Sequence, residues 1–452
     1  MLFQHRRGRI ARLAALVAVA SLLAVACGSD DDKEATTTTA DKKSDFVEIT
    51  GVPGVTDDEI QFAALGTVSN NSLGTCVLKC FLDGINAYFD YRNSEGGIYG
   101  RDLKVTKEVD DEFSKNQQKA IEVVAADDTF GVFASSIIPN GWGELAKAGI
   151  PVYGHFTDPA QAAHPNIFGS FNVDCVTCTR LDTAFLAKAV GAKKVASLAL
   201  GVSDSSKKCG QSIVDSVALY SDEIGGAKIA YQNANMAYGL PNGAGPEVTE
   251  MKNAGVDMVF GCFDLNTTKT IAQEMQRQDM GDVPIVHRNS YDAKFVADNA
   301  AVFEGDIVLA SVRPLESSVG DSTLGLYKKW MEKNRSDLTE EALHGWAVAD
   351  AAYQGLKKVG GPFDRKKVID ATNTIQGFTA GGIVPPIDFG RQHVAPTQDD
   401  VATAGSKPYC RVLLRVKDGK FEFVKPATKE KPFICWPGTT RAWSEPVARD
   451  FK

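Results

Sequence analysis

From about residue 58 onward, short apolar runs alternate with amphipathic stretches. Gln61 to Leu65 is an apolar run ending at Gly66, which predicts a buried strand. Phe81 to Glu95 repeats apolar residues at helical spacing, with Phe81, Ile85, Tyr88 and Phe89 on one face and Gly96-Gly97 as a stop. Leu103 to Val109 alternates as a strand. Ser114 and Gln117 have the spacing of a capping box, predicting a helix through Ile121 and Val124. Gly131 to Ala134 and Ile150 to Tyr153 read as further strands, with a short helix between them ending at Ala148.

The alternation then starts again. Strands are predicted at Val195 to Leu200, Lys228 to Tyr231, Met258 to Phe260, Pro284 to His287 and Ile307 to Ala310. Helices are predicted at Ser212 to Ile224, Glu247 to Ala254 and Thr268 to Met280. A late helix, Glu341 to Val359, carries Leu343, Trp346, Ala347, Asp350, Tyr353 and Leu356 toward its buried side and stops at Gly360-Gly361. A hairpin near 410–424 and a Pro-rich tail follow. Strand–helix alternation implies βαβ units and parallel sheets. Two successive sets imply two similar lobes.

The N-terminus follows a different pattern. Arg6, Arg7, Arg9 and Arg12 precede an apolar run, Leu13 to Val25, which suits a signal peptide and is too short for a typical membrane span. It ends Leu23-Ala24-Val25-Ala26-Cys27. Small residues before a cysteine resemble a bacterial lipobox, so residues 1–26 are expected to be a lipoprotein signal and Cys27 the lipidated residue. Residues 27–47 hold an Asp triplet and a Thr run; they are too polar to build a core before Phe46 and read as a disordered tether.

Composition narrows the function classes. The chain has 452 residues, 44% hydrophobic and 23% charged, enough for two or three globular domains. Net charge is −8, and the body without its basic leader is more acidic still. An acidic surface repels phosphate backbones, so nucleic acid is excluded as the expected partner. The six histidines show no metalloprotease spacing, and neither a nucleophile elbow nor a phosphate-binding loop occurs. The expectation is a protein that is not an enzyme, with no cofactor and no metal.

Nine cysteines are present. With Cys27 lipidated, eight remain, an even number that suits disulfides outside the cytoplasm. Cys410 and Cys435 bracket the predicted hairpin. Cys209 and Cys262 each follow a predicted strand and would share one rim of a sheet. Cys76, Cys80, Cys175 and Cys178 are open to several readings: disulfides within or between the two pairs, a four-thiolate zinc site, or a redox dithiol at 175 and 178.

Several spaced segments carry a family resemblance. "GINAYFDYRNSEGGIYGRDLK" (Gly84 to Lys104) is similar to the first helix and turn of the leucine-binding-protein-like branch of type I periplasmic binding proteins. "AGIPVYGHFTDP" (Ala148 to Pro159) looks like that family's strand leading into a hydroxyl-bearing cleft loop. "KKVASLALG", "MKNAGVDMVFG" and "GGIVPPIDFG" resemble later family segments. The resemblance spans roughly 58–425. It implies an α/β fold of two doubly wound parallel-sheet lobes joined by a three-segment hinge, with crossovers near 172–175, 309–314 and 400–408. Lobe 1 would comprise 48–173 plus 312–405, lobe 2 would comprise 174–311 plus 406–435, and 436–452 would be a tail.

The resemblance also implies a role: an extracytoplasmic receptor, lipid-anchored at Cys27 on the bacterial cell membrane. It would bind a small polar solute, an amino acid or relative, and deliver it to the permease of an ABC importer, acting as a monomer. In this family the loops after lobe-1 strands hold the solute's carboxylate. Here those positions match Ser135 and Ser136, then Thr157, with His155 a further candidate in the same cleft loop. Hydroxyls and free N–H groups bind a carboxylate without a full counter-charge. The family's amine-binding acid is replaced near its matching position by Asn289, beside His287, Arg288 and Tyr291, which leaves Asp264 or Asp174 for an amine and keeps an amide, a small carboxylate or a sugar-like solute equally open. A ligand sensor on the same fold, and an extracytoplasmic thiol enzyme using Cys175 and Cys178, are the competing readings.

Overall fold

A computed structural model describes residues 46–71, 76–155, 159–171, 175, 177–288, 290–395, 397, 409–436 and 442–452. Cys27, Thr157, Asp174 and Asn289 lie outside the described residues, as do the expected crossover at 400–408 and most of that at 172–175.

The first sheet is built from β1 (Glu59–Gly66), β2 (Asp102–Asp110), β3 (Gly131–Ser135), β4 (Val152–Gly154) and β5 (Ile167–Gly169). Its order is β2-β1-β3-β4-β5, and every pairing is parallel. Helices α1 (Leu78–Ser94), α2 (Asn116–Ala126) and α3 (Trp142–Lys147) cover its faces. The interior strand β1 reads as nearly unbroken apolar sequence from Phe62 because both its faces are covered.

The second sheet follows helix α4 (Leu181–Val190). It contains β6 (Lys194–Leu200), β7 (Lys228–Met236), β8 (Met258–Cys262), β9 (Ile285–Arg288) and β10 (Ile307–Ala310). The connecting helices are α5 (Asp204–Leu219), α6 (Gly245–Ala254), α7 (Leu265–Arg277), α8 (Ala293–Asp298) and α9 (Ala300–Phe303). The chain then returns to the first lobe with α10 (Leu324–Lys333), α11 (Glu340–Val359), α12 (Arg365–Thr372) and α13 (Phe389–Gln392). It ends on the second sheet with β11 (Tyr409–Lys417), β12 (Lys420–Phe423), β13 (Phe433–Trp436) and β14 (Val447–Arg449). The order is β14-β13-β11-β10-β9-β8-β6-β7, with β12 paired to β11. From β10 to β7 the pairing is parallel, whereas β11 to β14 add antiparallel strands at one edge.

Each lobe has its own core. Phe62, Phe81, Phe133, Tyr153 and Trp346 belong to one buried cluster, and Leu198, Val259, Ile285, Val412 and Phe433 to another. The first core depends on α11 lying close against α1. A Cβ on Gly84 would stand 1.8 Å from the Ala342 carbonyl oxygen, and one on Gly345 would stand 2.0 Å from that of Phe81. Glycine at both positions lets the two backbones touch, and this contact fixes where the first turn of α11 points.

Three sequence expectations need correcting. The Ser114–Gln117 capping box does not form: α2 begins at Asn116, and its N-cap residue, Lys115, makes no side-chain cap. Instead the Asp111 carboxylate accepts from the Phe113 N–H and the Asn116 amide. The helix expected from Ser212 begins at Asp204, capped by Ser203, because its first turns are polar and carry little apolar periodicity. The Pro-rich tail contains two strands, β13 and β14. The eight described cysteines pair as Cys76–Cys80, Cys175–Cys178, Cys209–Cys262 and Cys410–Cys435. The last bridge joins residues directly opposite each other on β11 and β13.

Candidate functional site

In open α/β sheets the crevice for ligands lies beyond the carboxyl ends of the strands. In the first lobe those ends are Gly66, Asp110, Ser135, Gly154 and Gly169, and two of them bring predicted residues together. Ser136 and His155 line one small cavity with Asn116, Trp142 and Gln161. Its volume is about 20 Å³, enough for one water-sized group. Ser136 Oγ accepts a 2.8 Å hydrogen bond from the Asn116 amide, and Asn116 Oδ1 accepts from the Gly141 N–H at 2.6 Å. Ser135 is buried, and its carbonyl accepts from the Thr67 N–H at 3.1 Å. Thr67 Oγ1 in turn accepts from the Ile137 N–H at 3.0 Å. The loop after β3 is therefore held rigidly against the loop after β1.

His155 joins this loop to α11. Its Nε2 lies 3.0 Å from a Glu341 carboxylate oxygen. Its ring packs on Phe81, Phe171 and His344, with centroids 5.6, 5.3 and 4.9 Å away. Burial would push the imidazole pKa down, but the Glu341 carboxylate overcomes this and raises it. The His155 and Glu341 side chains are 17% and 27% exposed, so the pair borders solvent.

One turn further along α11, His344 is fully buried and bonded at both ring nitrogens. Nδ1 is 2.8 Å from Ser170 Oγ, and Nε2 is 3.1 Å from Ser311 Oγ. Ser170 follows β5, and Ser311 follows β10, so a single imidazole joins the exits of both sheets. Burial, reinforced by His155, lowers the His344 pKa well below that of a free histidine and keeps the ring neutral. Glu340 accepts from the Ser311 N–H at 3.3 Å and from the Tyr291 backbone. Burial and the neighbouring Glu341 push its pKa up to about 8, so this carboxyl is protonated at neutral pH. A nucleophile–base–acid relay needs its serine and its acid on opposite imidazole nitrogens. Here both nitrogens face serine hydroxyls, and Glu340 lies 3.9 Å from the same Nε2 as Ser311. The arrangement positions the crossovers and does not match such a relay.

The second lobe treats its polar groups differently. Asp264, the predicted amine partner, is the N-cap of α7: it accepts from the Thr267 N–H at 2.9 Å and from the Thr267 hydroxyl at 2.7 Å. Ser203 caps α5, and Ser206 Oγ accepts from the Leu200 N–H and donates to the Cys262 carbonyl. The Cys209–Cys262 bridge staples α5 to the end of β8. Beside the strand ends lies a buried carboxylate, Asp182, bonded to the Tyr409 hydroxyl at 2.8 Å and to Arg411 at 3.3 Å. Burial would raise its pKa, but Arg180, Arg411 and Arg288 hold it low. His287, near the expected amine subsite, is buried against Asp306 at 2.7 Å and faces the core.

The structure thus brings Ser136 and His155 together, leaves Ser135 directly behind them, and places Asp264 in the other lobe as a helix cap. Glu340, Glu341, His344 and Ser311 were not singled out from sequence. The signal they do leave is Thr339 followed by two glutamates, a helix start with acids on its first turn. Among the described residues there is no cluster of three or more His, Cys, Asp or Glu side chains suited to a metal ion. No helix of the described residues is long and apolar enough to cross a membrane.

Comparison with known proteins adds three findings. A periplasmic binding protein family model matches residues 59–405. No curated protein matches the sequence. Among solved structures, the chain resembles a fatty acid ABC transporter substrate-binding protein from Thermomonospora curvata, at 14% identity and a TM-score of 0.64, covering 90% of this chain and 95% of that one. It also resembles an ABC transporter substrate-binding protein from Desulfitobacterium hafniense in complex with Leu, at 16% identity and a TM-score of 0.61, covering 81% and 100%. A third is a solute-binding protein from R. palustris in complex with 4-hydroxybenzoate, at 16% identity and a TM-score of 0.61, covering 84% and 98%. At these identities the three likenesses speak for the fold.

Proposed function

The chain belongs to the periplasmic binding protein family, whose members are extracytoplasmic solute-binding proteins, and on that premise we propose that it is the membrane-tethered receptor of an ABC importer. Its lipid anchor is Cys27, and its solute is small, polar and carboxylate-bearing, an amino acid or relative. The observation that carries this reading is the convergence of Ser136 and His155 on one water-sized cavity at the carboxyl ends of β3 and β4. A hydroxyl at a strand-end loop beside an imidazole is suited to a carboxylate head. The bonds from His344 to Ser170, after β5, and to Ser311, after β10, support a site beside the hinge, where lobe closure would be felt.

A second reading concerns the amine. Asp264 already accepts two bonds from Thr267, which favours a carboxylic acid without an α-amino group. The neighbours named above for a fatty acid and for 4-hydroxybenzoate are consistent with that choice. A thermal-shift panel pairing each amino acid with its deaminated acid, for example leucine with 4-methylpentanoate, separates the two. A ligand at 100 times its dissociation constant adds about 2.7 kcal/mol of stability, a clear shift in Tm. A shift with leucine and none with 4-methylpentanoate supports the amino-acid reading, and the reverse supports the second. No shift from any carboxylate or amino acid overturns both.

A further inference from the structure

The last residues of the chain lie beyond the stretch that the family model matches, which ends at residue 405. They begin on the second lobe and finish on the first. Strand β14 pairs with β13, which pairs with β11, so Val447–Arg449 belongs to the second sheet. Asp450, Phe451 and Lys452 then leave that sheet. Phe451 stays against the second lobe through its ring, 5.2 Å from that of Phe433. Its carbonyl oxygen sits against the backbone of Gly382, where an added Cβ would meet it at 2.3 Å. Lys452 pairs with Asp321, and its carbonyl accepts from the Thr379 hydroxyl. Thr379 and Gly382 lie within a segment whose Phe378, Ala380, Ile383 and Val384 are buried in the first lobe's core.

Arg313, two residues beyond the Ser311 crossover contact, gathers these parts. It is 1% exposed, a buried cation inside the hinge. Its backbone N–H donates to the Ile383 carbonyl at 2.7 Å, and Nε donates to the Gly382 carbonyl at 2.7 Å. Nη2 donates to the Asp450 carboxylate and, at 3.0 Å, to the Phe451 carbonyl. The guanidinium also lies over the Phe433 ring, 5.6 Å from its centroid. One side chain therefore holds together a crossover, a first-lobe loop and the chain end delivered by the second lobe.

We propose that residues 450–452, clasped by Arg313, form a strap between the lobes that limits how far they open, in addition to the covalent crossovers. Opening the hinge would pull Asp450 and the Phe451 carbonyl away from a buried guanidinium. That guanidinium has no solvent to replace them, so the movement is opposed until the strap lets go. The strap engages Arg313, Asp321, Thr379, Gly382 and Phe433. It sets the range of the lobe motion and does not recognise the solute.

The test compares the full chain with a variant lacking residues 450–452 and with Arg313→Lys, all without added solute and with disulfides intact. Small-angle scattering reads the lobe separation, and hydrogen exchange reads local opening. The expected result is a larger radius of gyration for the deletion variant. Exchange at the Arg313 amide, which the Ile383 carbonyl holds, should also be at least about tenfold faster, while β1 and β8 keep their protection. Arg313→Lys, which keeps the charge and loses the fork, should lie between the two. Superimposable scattering curves and unchanged exchange at residue 313 would overturn the proposal and leave the chain end a passive cap. If the deletion also exposes β1 and β8, Arg313→Lys decides: unchanged scattering in that folded variant overturns the strap, and expansion supports it.

Discussion

The two lobes treat the polar groups at their strand ends differently. On the first lobe, the strand-end loops and the start of α11 bring together titratable groups that touch solvent or the crossovers: His155, Glu341, Glu340 and His344. On the second lobe, Asp264, Ser203 and Ser206 are consumed in capping helices and bracing strand ends, and a disulfide staples the rim. The first lobe gathers titratable groups there, and the second spends its polar groups on holding its shape. The same strand–loop–helix grammar serves both, so a polar residue at a strand end indicates a site only when its hydrogen bonds are not already spent within its own turn.

Removing the staple tests the second lobe most severely. Replacing Cys209 and Cys262 together with serine opens a loop spanning 53 residues of sequence, and the unfolded chain then gains entropy equivalent to about 4 kcal/mol. Denaturant unfolding should show that loss, with α5 and the end of β8 the first parts to exchange. If the stability of the double variant equals that of the parent, the rim is rigid for another reason.

The next largest effect belongs to the first lobe. Gly345→Ala places a Cβ 2.0 Å from the Phe81 carbonyl oxygen, so α11 must shift, and about 2 kcal/mol of stability should be lost to overpacking. That shift moves Glu341 and His344, so the pH dependence of stability should change along with Tm. A change in Tm with the same pH profile would separate the helix contact from the charge cluster.

Glu340→Gln addresses the cluster itself. An unfolded glutamate releases its proton near pH 4.3, whereas folded Glu340 keeps its proton up to about pH 8. The folded state therefore binds the extra proton between those values, and stability falls as pH rises through that window. Glutamine keeps an acceptor for the Ser311 N–H without the charge. The variant should match the parent near pH 4 and exceed it by more than about 1 kcal/mol at pH 8. His155 adds to the same trend: its raised pKa gives stability that is complete below about pH 6.5 and is lost as pH rises through the folded value.

Asp264→Ala has the smallest expected effect, about 1 kcal/mol for a lost N-cap. On the amino-acid reading it also removes the amine partner and abolishes the thermal shift with leucine. On the deaminated-acid reading the shift with 4-methylpentanoate survives. One variant thus sharpens both the contrast between the lobes and the choice of solute.

Much of the fold was legible in the sequence because parallel strands covered on both sides stand out as short apolar runs; β1, β6, β8 and β10 each fall within a residue or two of their expected positions. The start of α5 was not legible, since Asp204 to Lys208 carry no apolar stripe and the helix is set by Ser203 and the packing of its later turns. Ser136 and His155 were legible as loop residues after strands. Their surroundings were not: Glu341 lies 186 positions from His155, and tertiary packing, including the glycine contact between α1 and α11, brings it there. Asp264 reads from sequence as a candidate ligand acid, and its capping of α7 through Thr267, three residues on, shows only once the helix is in place.

The placement of α11 and β11 also governs when the molecule can fold. The first core needs Trp346 and Ala347 packed beside α1, and the second sheet needs β11 beside β10, yet these elements lie about a hundred residues or more after the ones they complete. Pairings so distant in sequence close slowly, because the intervening chain must first be ordered. A chain synthesised or threaded from its N-terminus therefore carries two incomplete cores until its last quarter arrives. Both lobes thus gain their full cores late.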